Sequence, residues 1–177
     1  MTLQDHYQKA IKFAAEKHKD QKLPGSDSSY LVHLSNVTME VMMASKFTDE
    51  FDVNFAIQVA LLHDVLEDTD GTFEQIENSF GGKIADGVLA LSKDESIEAH
   101  LRIPDSLDRI LLQPKEIWAV KLADRITNMQ IPPSHWTKNK IIDYHAMAKL
   151  ILYKLENGNA YLEERLSQKI IAYRTFI

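Results

Sequence analysis

The densest concentration of chemically capable side chains is His63-Asp64-Val65-Leu66-Glu67-Asp68. The apolar spacing of Phe55, Ala56, Val59, Ala60, Leu61, Leu62, Val65 and Leu66 predicts one buried helix over about Asn54 to Glu67, with His63 above Glu67 and Asp64 above Asp68. Four ionisable groups at the end of an apolar helix are unfavourable unless something offsets their desolvation. A divalent cation would do so, with His63 and Asp64 as adjacent ligands and the second acidic pair facing a substrate. The same residues also suit a plain polar helix end, with Glu67-Asp68-Thr69-Asp70 emerging into water.

A second group is Lys121, Asp124, Arg125 and Asn128. Trp118, Ala119, Val120, Leu122 and Ala123 put Asp124 in an apolar frame, and Asn128 follows four residues later on the same helical face. Lys121 can approach that face from one turn earlier. The alternative is a surface ion pair of Asp124 with Lys121 or Arg125, which would mean little for function. The third candidate is His33, in Tyr30-Leu31-Val32-His33, directly after a Gly/Ser-rich loop, where a histidine is as readily structural as a ligand.

These groups need elements to position them, and the chain offers helices. Leu3, Tyr7, Ala10, Ile11, Ala14 and Ala15 form one apolar stripe, and Pro24-Gly25-Ser26-Asp27-Ser28-Ser29 breaks the chain after it. Further helical runs cover about Leu31–Lys46, Lys83–Leu91, Pro114–Met129, Thr137–Asn157 and Asn159–Ile177. Thr72 and Gln75 have the spacing of a capping box. Lys93 to Gln113 is charged and weakly periodic and reads as a loop with a short, mobile helix. No strand alternation appears, so the expected fold is all-α, in one domain over 1–177.

Composition narrows the chemistry. The 177 residues contain no cysteine, which removes disulfides, thiolate nucleophiles and zinc–thiolate or iron–sulfur sites and leaves nitrogen and oxygen donors. With 20 basic against 26 acidic residues the net charge is −6, which argues against a nucleic-acid surface but allows a local basic pocket for a phosphorylated small molecule. Met1 to Gln21 carries Asp5, Lys9, Lys12, Glu16 and Lys19 and lacks a signal-peptide core. No apolar stretch approaches the ~20 residues that span a bilayer. The expectation is a cytoplasmic protein with no membrane partner.

Taken together, His33, His63-Asp64 and Asp124 have the order and spacing of an HD-domain metal site. The wider context resembles the HD hydrolases of the alarmone (p)ppGpp, of the stand-alone small type. The matching words are Ala14-Ala15-Glu16-Lys17-His18 through Gln21, Tyr30 to His33, Ala60 to Asp70, Phe80-Gly81 and Lys121 to Met129. The resemblance implies an all-α HD helical bundle with His33, His63, Asp64 and Asp124 as ligands to manganese or another divalent ion. It implies Glu67 and Asp68 as the catalytic acidic pair and Asn128 as a substrate contact. Trp136, Lys140 and Tyr144 resemble further pocket residues, and Lys22 stands where the family holds its nucleotide. Trp136 and Tyr144 also suit ordinary aromatic packing.

The chain departs from the family pattern in places. Leu34 follows the first ligand histidine where proline is usual, Asp27-Ser28-Ser29 precedes Tyr30, Leu23-Pro24 follows Lys22, and Gln130 replaces a basic residue. The implied activity is removal of the 3′-pyrophosphate of (p)ppGpp, giving GDP or GTP and pyrophosphate. The departures keep open the adenosine counterpart, or another phosphorylated nucleotide such as NADPH. A non-catalytic nucleotide-binding HD bundle is the alternative from a different class.

Overall fold

Apolar residues recurring every three to four positions become ten α-helices in the computed structural model, which describes residues 1–177. In order these are α1 (Leu3–Lys17), α2 (Leu31–Ser45), α3 (Val53–Leu62), α4 (Val65–Asp68), α5 (Phe73–Phe80), α6 (Gly82–Leu91), α7 (Arg102–Leu111), α8 (Lys115–Asn128), α9 (Lys138–Lys154) and α10 (Ala160–Tyr173). A 3₁₀ turn, Arg174–Phe176, follows. The all-α single domain expected from the sequence is what is found.

Eight of the ten residues of α3 are buried, and the helix packs against α1, α2, α6 and α8. It is the centre of a single core of 36 buried apolar residues. Leu61 and Leu62 at its end are fully buried, each contributing roughly 1.5–3 kcal/mol relative to exposure. The Asp52 carboxylate caps the helix start by accepting from the Phe55 amide. Capping boxes open α1 at Thr2 and Asp5 and α5 at Thr72 and Gln75, the latter as read from sequence. Gly81, at φ +92°, joins α5 to α6 through a conformation that other residues rarely adopt.

Three expectations need correction. The helix ends at Leu62: His63 is its C-cap, Asp64 lies between elements, and Glu67 and Asp68 sit on the separate four-residue α4. The break lets Asp64 turn back toward His63 instead of extending down a helix face. Residues 93–113 contain a ten-residue helix, α7, which buries Ser106, Leu107 and Ile110. Pro104 falls in its first turn, where a missing N–H is harmless. Pro114 is the N-cap of α8, one position before the place expected of it.

Candidate metal centre

His33 comes from the first turn of α2, His63 and Asp64 from the break after α3, and Asp124 from the middle of α8. Packing of α2, α3 and α8 against one another brings the four together. His63 Nε2 lies 3.0 Å from Asp64 Oδ2, 3.3 Å from His33 Nε2 and 3.8 Å from Asp124 Oδ1. His33 Nε2 lies 3.5 Å from both Asp64 Oδ2 and Asp124 Oδ1. His33 and His63 are each 3% exposed and Asp124 is 7% exposed.

The donor set fits a divalent cation. The Nδ1–H of His63 donates to the Ala60 carbonyl at 2.8 Å, which leaves the Nε2 lone pair of the neutral ring aimed at the cluster. Converging lone pairs of two imidazoles and two carboxylates need positive charge among them. Burial opposes charging His63, yet Asp64 and Asp124 together push its pKa up to about 10. The two histidines hold the Asp64 carboxyl low against its burial, and Lys121 with the same histidines does so for Asp124. Octahedral ions bound at ~2.0–2.2 Å place neighbouring donors ~3 Å apart, close to the spacings here. Imidazole and carboxylate without sulfur are the ligands of the manganese-like and other borderline-to-hard divalent ions.

Like His63, the two carboxylates are held from behind. Tyr30 donates its hydroxyl to Asp64 Oδ2 at 2.6 Å. Lys121 Nζ donates to Asp124 Oδ2 at 3.2 Å, and Asn128 Nδ2 donates to Asp124 Oδ1 at 2.6 Å. The Lys121–Asp124 pair considered from sequence therefore exists, but it lies inside the protein, its side chains only 12% and 10% exposed. Beside the cluster opens a cavity of about 380 Å³. Its wall includes Tyr30, Asp64, Glu67, Asp68, Lys93, Ile103, Lys121, Asp124, Arg125, Asn128, Tyr144 and Met147. A larger groove of about 690 Å³ between α9 and α10 offers one histidine, His145, and no acidic side chain.

Glu67 and Asp68 both face the cavity, in different company. Glu67 accepts from the backbone N–H of Lys93 at 3.0 Å and from its ammonium. Asp68 accepts from Gln21 Nε2 at 2.9 Å, and burial beside Asp64 and Glu67 pushes its pKa up. Of the residues read as substrate contacts, Asn128 and Tyr144 are in the wall. Trp136 packs edge-on against Tyr144 with centroids 5.1 Å apart, and Lys140 lies 4.5 Å over the Trp136 ring; neither lines the wall. Lys22 is exposed and pairs with Ser29 outside it.

The features not foreseen are Lys93, the hydroxyl of Tyr30 as a donor to Asp64, and the place of Arg125, which the sequence presents only as a surface ion-pair partner of Asp124. Lys93 reaches Glu67 across 26 residues, and no local spacing announces such a contact. Arg125 is 6% exposed, with Nε and Nη1 buried and unpartnered, and its guanidinium lies 4.4 Å over the Tyr144 ring. Lys93 and Lys121 are matched by carboxylates; Arg125 is the cavity's one unmatched cation.

Comparison with known proteins bears on the family and the fold. Residues 10–148 match the family model described as HD domain. The chain is 31% identical to the guanosine-3′,5′-bis(diphosphate) 3′-pyrophosphohydrolase MESH1 of Danio rerio, over 89% of this chain and 88% of that protein. Identity to the protein of the same name in Drosophila melanogaster is 29%, over 92% and 91%. A solved structure described as a metazoan ortholog of SpoT that hydrolyses ppGpp superposes with a TM-score of 0.83 at 29% identity, covering 97% of each chain. No helix is long and apolar enough to cross a membrane. With its family model over most of the chain and its relatives matched nearly end to end, this chain belongs to the HD-domain family.

Proposed function

We propose that residues 1–177 form one catalytic unit that removes the 3′-pyrophosphate of a guanosine alarmone of the (p)ppGpp class, with manganese as the ion. The observation that carries the reading is four metal-capable donors converging beside one cavity whose wall holds two further carboxylates and an unmatched buried arginine. The activity for which the relatives are named supports it.

His33, His63, Asp64 and Asp124 would hold the ion. Lewis acidity toward a phosphoryl oxygen and toward water is the chemistry such an ion supplies when bound. Glu67 and Asp68, one turn beyond the donors, orient the attacking water and take its proton. The water oxygen bonds to the phosphorus nearest the ribose, and the bond from that phosphorus to the 3′ oxygen breaks. The nucleotide 3′ oxygen then acquires a proton and pyrophosphate departs. Arg125 meets the phosphate charge, Asn128 keeps its side-chain oxygen for the nucleotide, and Tyr144, backed by Trp136 and Lys140, forms the wall beside it. Lys22, next to Gln21, stands at the rim.

A second reading, the adenosine alarmone or another phosphorylated nucleotide such as NADPH, is favoured by one observation: Lys22 lies outside the cavity wall and Leu23-Pro24 follows it. Assays of pyrophosphate and phosphate release from ppGpp, pppApp and NADPH, with manganese and with chelator, decide between them. Manganese-dependent pyrophosphate release from ppGpp is the expected result. Preference for either other nucleotide would move the assignment to it, and binding without turnover of any of the three would make the chain a non-catalytic nucleotide-binding bundle.

A further inference from the structure

Glu67 and Asp68 are adjacent, yet they are fixed by different parts of the chain. Lys93 holds Glu67 with two donors. Asp68 ends the four-residue α4, the chain turns extended at Thr69, and its only side-chain partner is Gln21. An ionised carboxylate only accepts, so the Gln21 amide must present its NH₂ to Asp68 and its oxygen away from it. That oxygen lies 2.5 Å from Nδ1 of His18, which is therefore the protonated ring nitrogen. His18 is 1% exposed, and its Nε2 is buried with no partner. Leaving a ring nitrogen unsatisfied in the interior is unfavourable. The rest of the ring is fully engaged: it stacks on Tyr30, centroids 5.0 Å apart, and Tyr30 in turn donates to Asp64.

We infer that Gln21 is a positioning residue that aims the Asp68 carboxylate into the cavity, and that buried His18 sets the amide orientation by which Gln21 does so. The inference rests on the proposed role of Asp68 in water activation. It gives the connection between α1 and α2 a mechanical part in the reaction, although neither residue touches the ion or lines the cavity.

The test begins with Gln21→Ala, a change at a partly exposed site. With manganese and the preferred nucleotide, kcat should fall by roughly 10–100-fold while KM and manganese content stay within about twofold. His18→Phe keeps a ring against Tyr30 and removes the donor, so its kcat should also fall. Because His18 acts through Gln21, the double variant should be no slower than Gln21→Ala alone. If His18→Phe fails to fold in a melting assay, His18→Asn, which retains an N–H donor, should keep kcat near wild type. Unchanged kcat in Gln21→Ala, or KM or metal content changing in step with kcat, overturns the inference. Multiplied losses in the double variant, or a loss in folded His18→Asn as large as in Gln21→Ala, overturn the part assigned to His18. A wild type inactive on every nucleotide would sink the proposed function separately. Crystal structures would then decide the positioning: Asp68 should face the cavity in wild type and turn away in Gln21→Ala, and an unmoved carboxylate refutes it.

Discussion

The wall of the cavity beside the donor cluster and the rim proposed to meet the nucleotide differ in how their side chains are held. On the metal side, His63 is tied to the Ala60 carbonyl, Asp64 to Tyr30, and Asp124 to both Lys121 and Asn128. At the rim, Lys22 and Lys140 are exposed, and Trp136 is placed by ring contacts alone. A substitution on the first side strands buried charge. On the second it should leave the bundle intact and, by the proposed reading, change what is recognised. This is why the departures from the family pattern around Lys22 and Gln130 can coexist with an unbroken donor set.

The contrast is broken most severely at Asp64. Asp64→Ala removes one of two anionic donors and leaves His33 and His63 facing each other. Manganese content by elemental analysis should fall to background, and turnover should fall further than the ~10–100-fold typical of changes outside the ligand shell. Full metal occupancy in that variant would remove Asp64 from the ligand set. Next comes Glu67→Gln, which keeps shape and loses the base. Turnover should fall by ~10²–10⁴-fold with manganese retained; parallel loss of metal would make Glu67 a ligand or its support.

Arg125 sharpens the comparison because it belongs to both sides, buried like a donor yet unpaired. Hydrogen bonds to charged groups contribute about 1.5–3 kcal/mol, so Arg125→Met should weaken nucleotide affinity by roughly 10–100-fold. The same change removes an unpartnered buried charge, so the melting temperature of the nucleotide-free protein should hold or rise. A fall in melting temperature with affinity intact would make Arg125 structural. The smallest effect is expected at the rim. Trp136→Ala removes an edge-on pair worth about 0.5–1.5 kcal/mol, which corresponds to a severalfold loss of affinity in a titration, with manganese content unchanged.

The sequence made most of the scaffold readable because helices announce themselves locally. The stripe in α1, the Thr72–Gln75 box and the apolar half of α8 each lie within one or two turns. The four donors were legible because their residue types are unusual in apolar frames. The break at His63-Asp64 was not, since neither glycine nor proline marks it; it is favoured by the convergence of α2 and α8 on the same point, a tertiary condition. Residues 102–111 read as loop and short helix because Arg102, Asp105, Asp108 and Arg109 dominate the composition, although Ile103, Leu107, Ile110 and Leu111 share the face that packs on the core. The Lys93–Glu67 contact and the isolation of Arg125 depend on which distant partners arrive, and single-chain spacing does not encode that.

The convergence of His33, His63 and Asp124 also has a topological consequence. His33 and His63 are 30 residues apart, and Asp124 lies about twice as far again along the chain. An ion shared by all three closes two long loops at one point, as a reversible covalent cross-link would, and loops of that length carry a substantial closure entropy. The metal should then act as a staple for α2, α3 and α8 together, in addition to its part in catalysis. Chelation should lower the melting temperature and speed amide hydrogen exchange in all three helices at once, while α5, which supplies no donor, is spared the largest change.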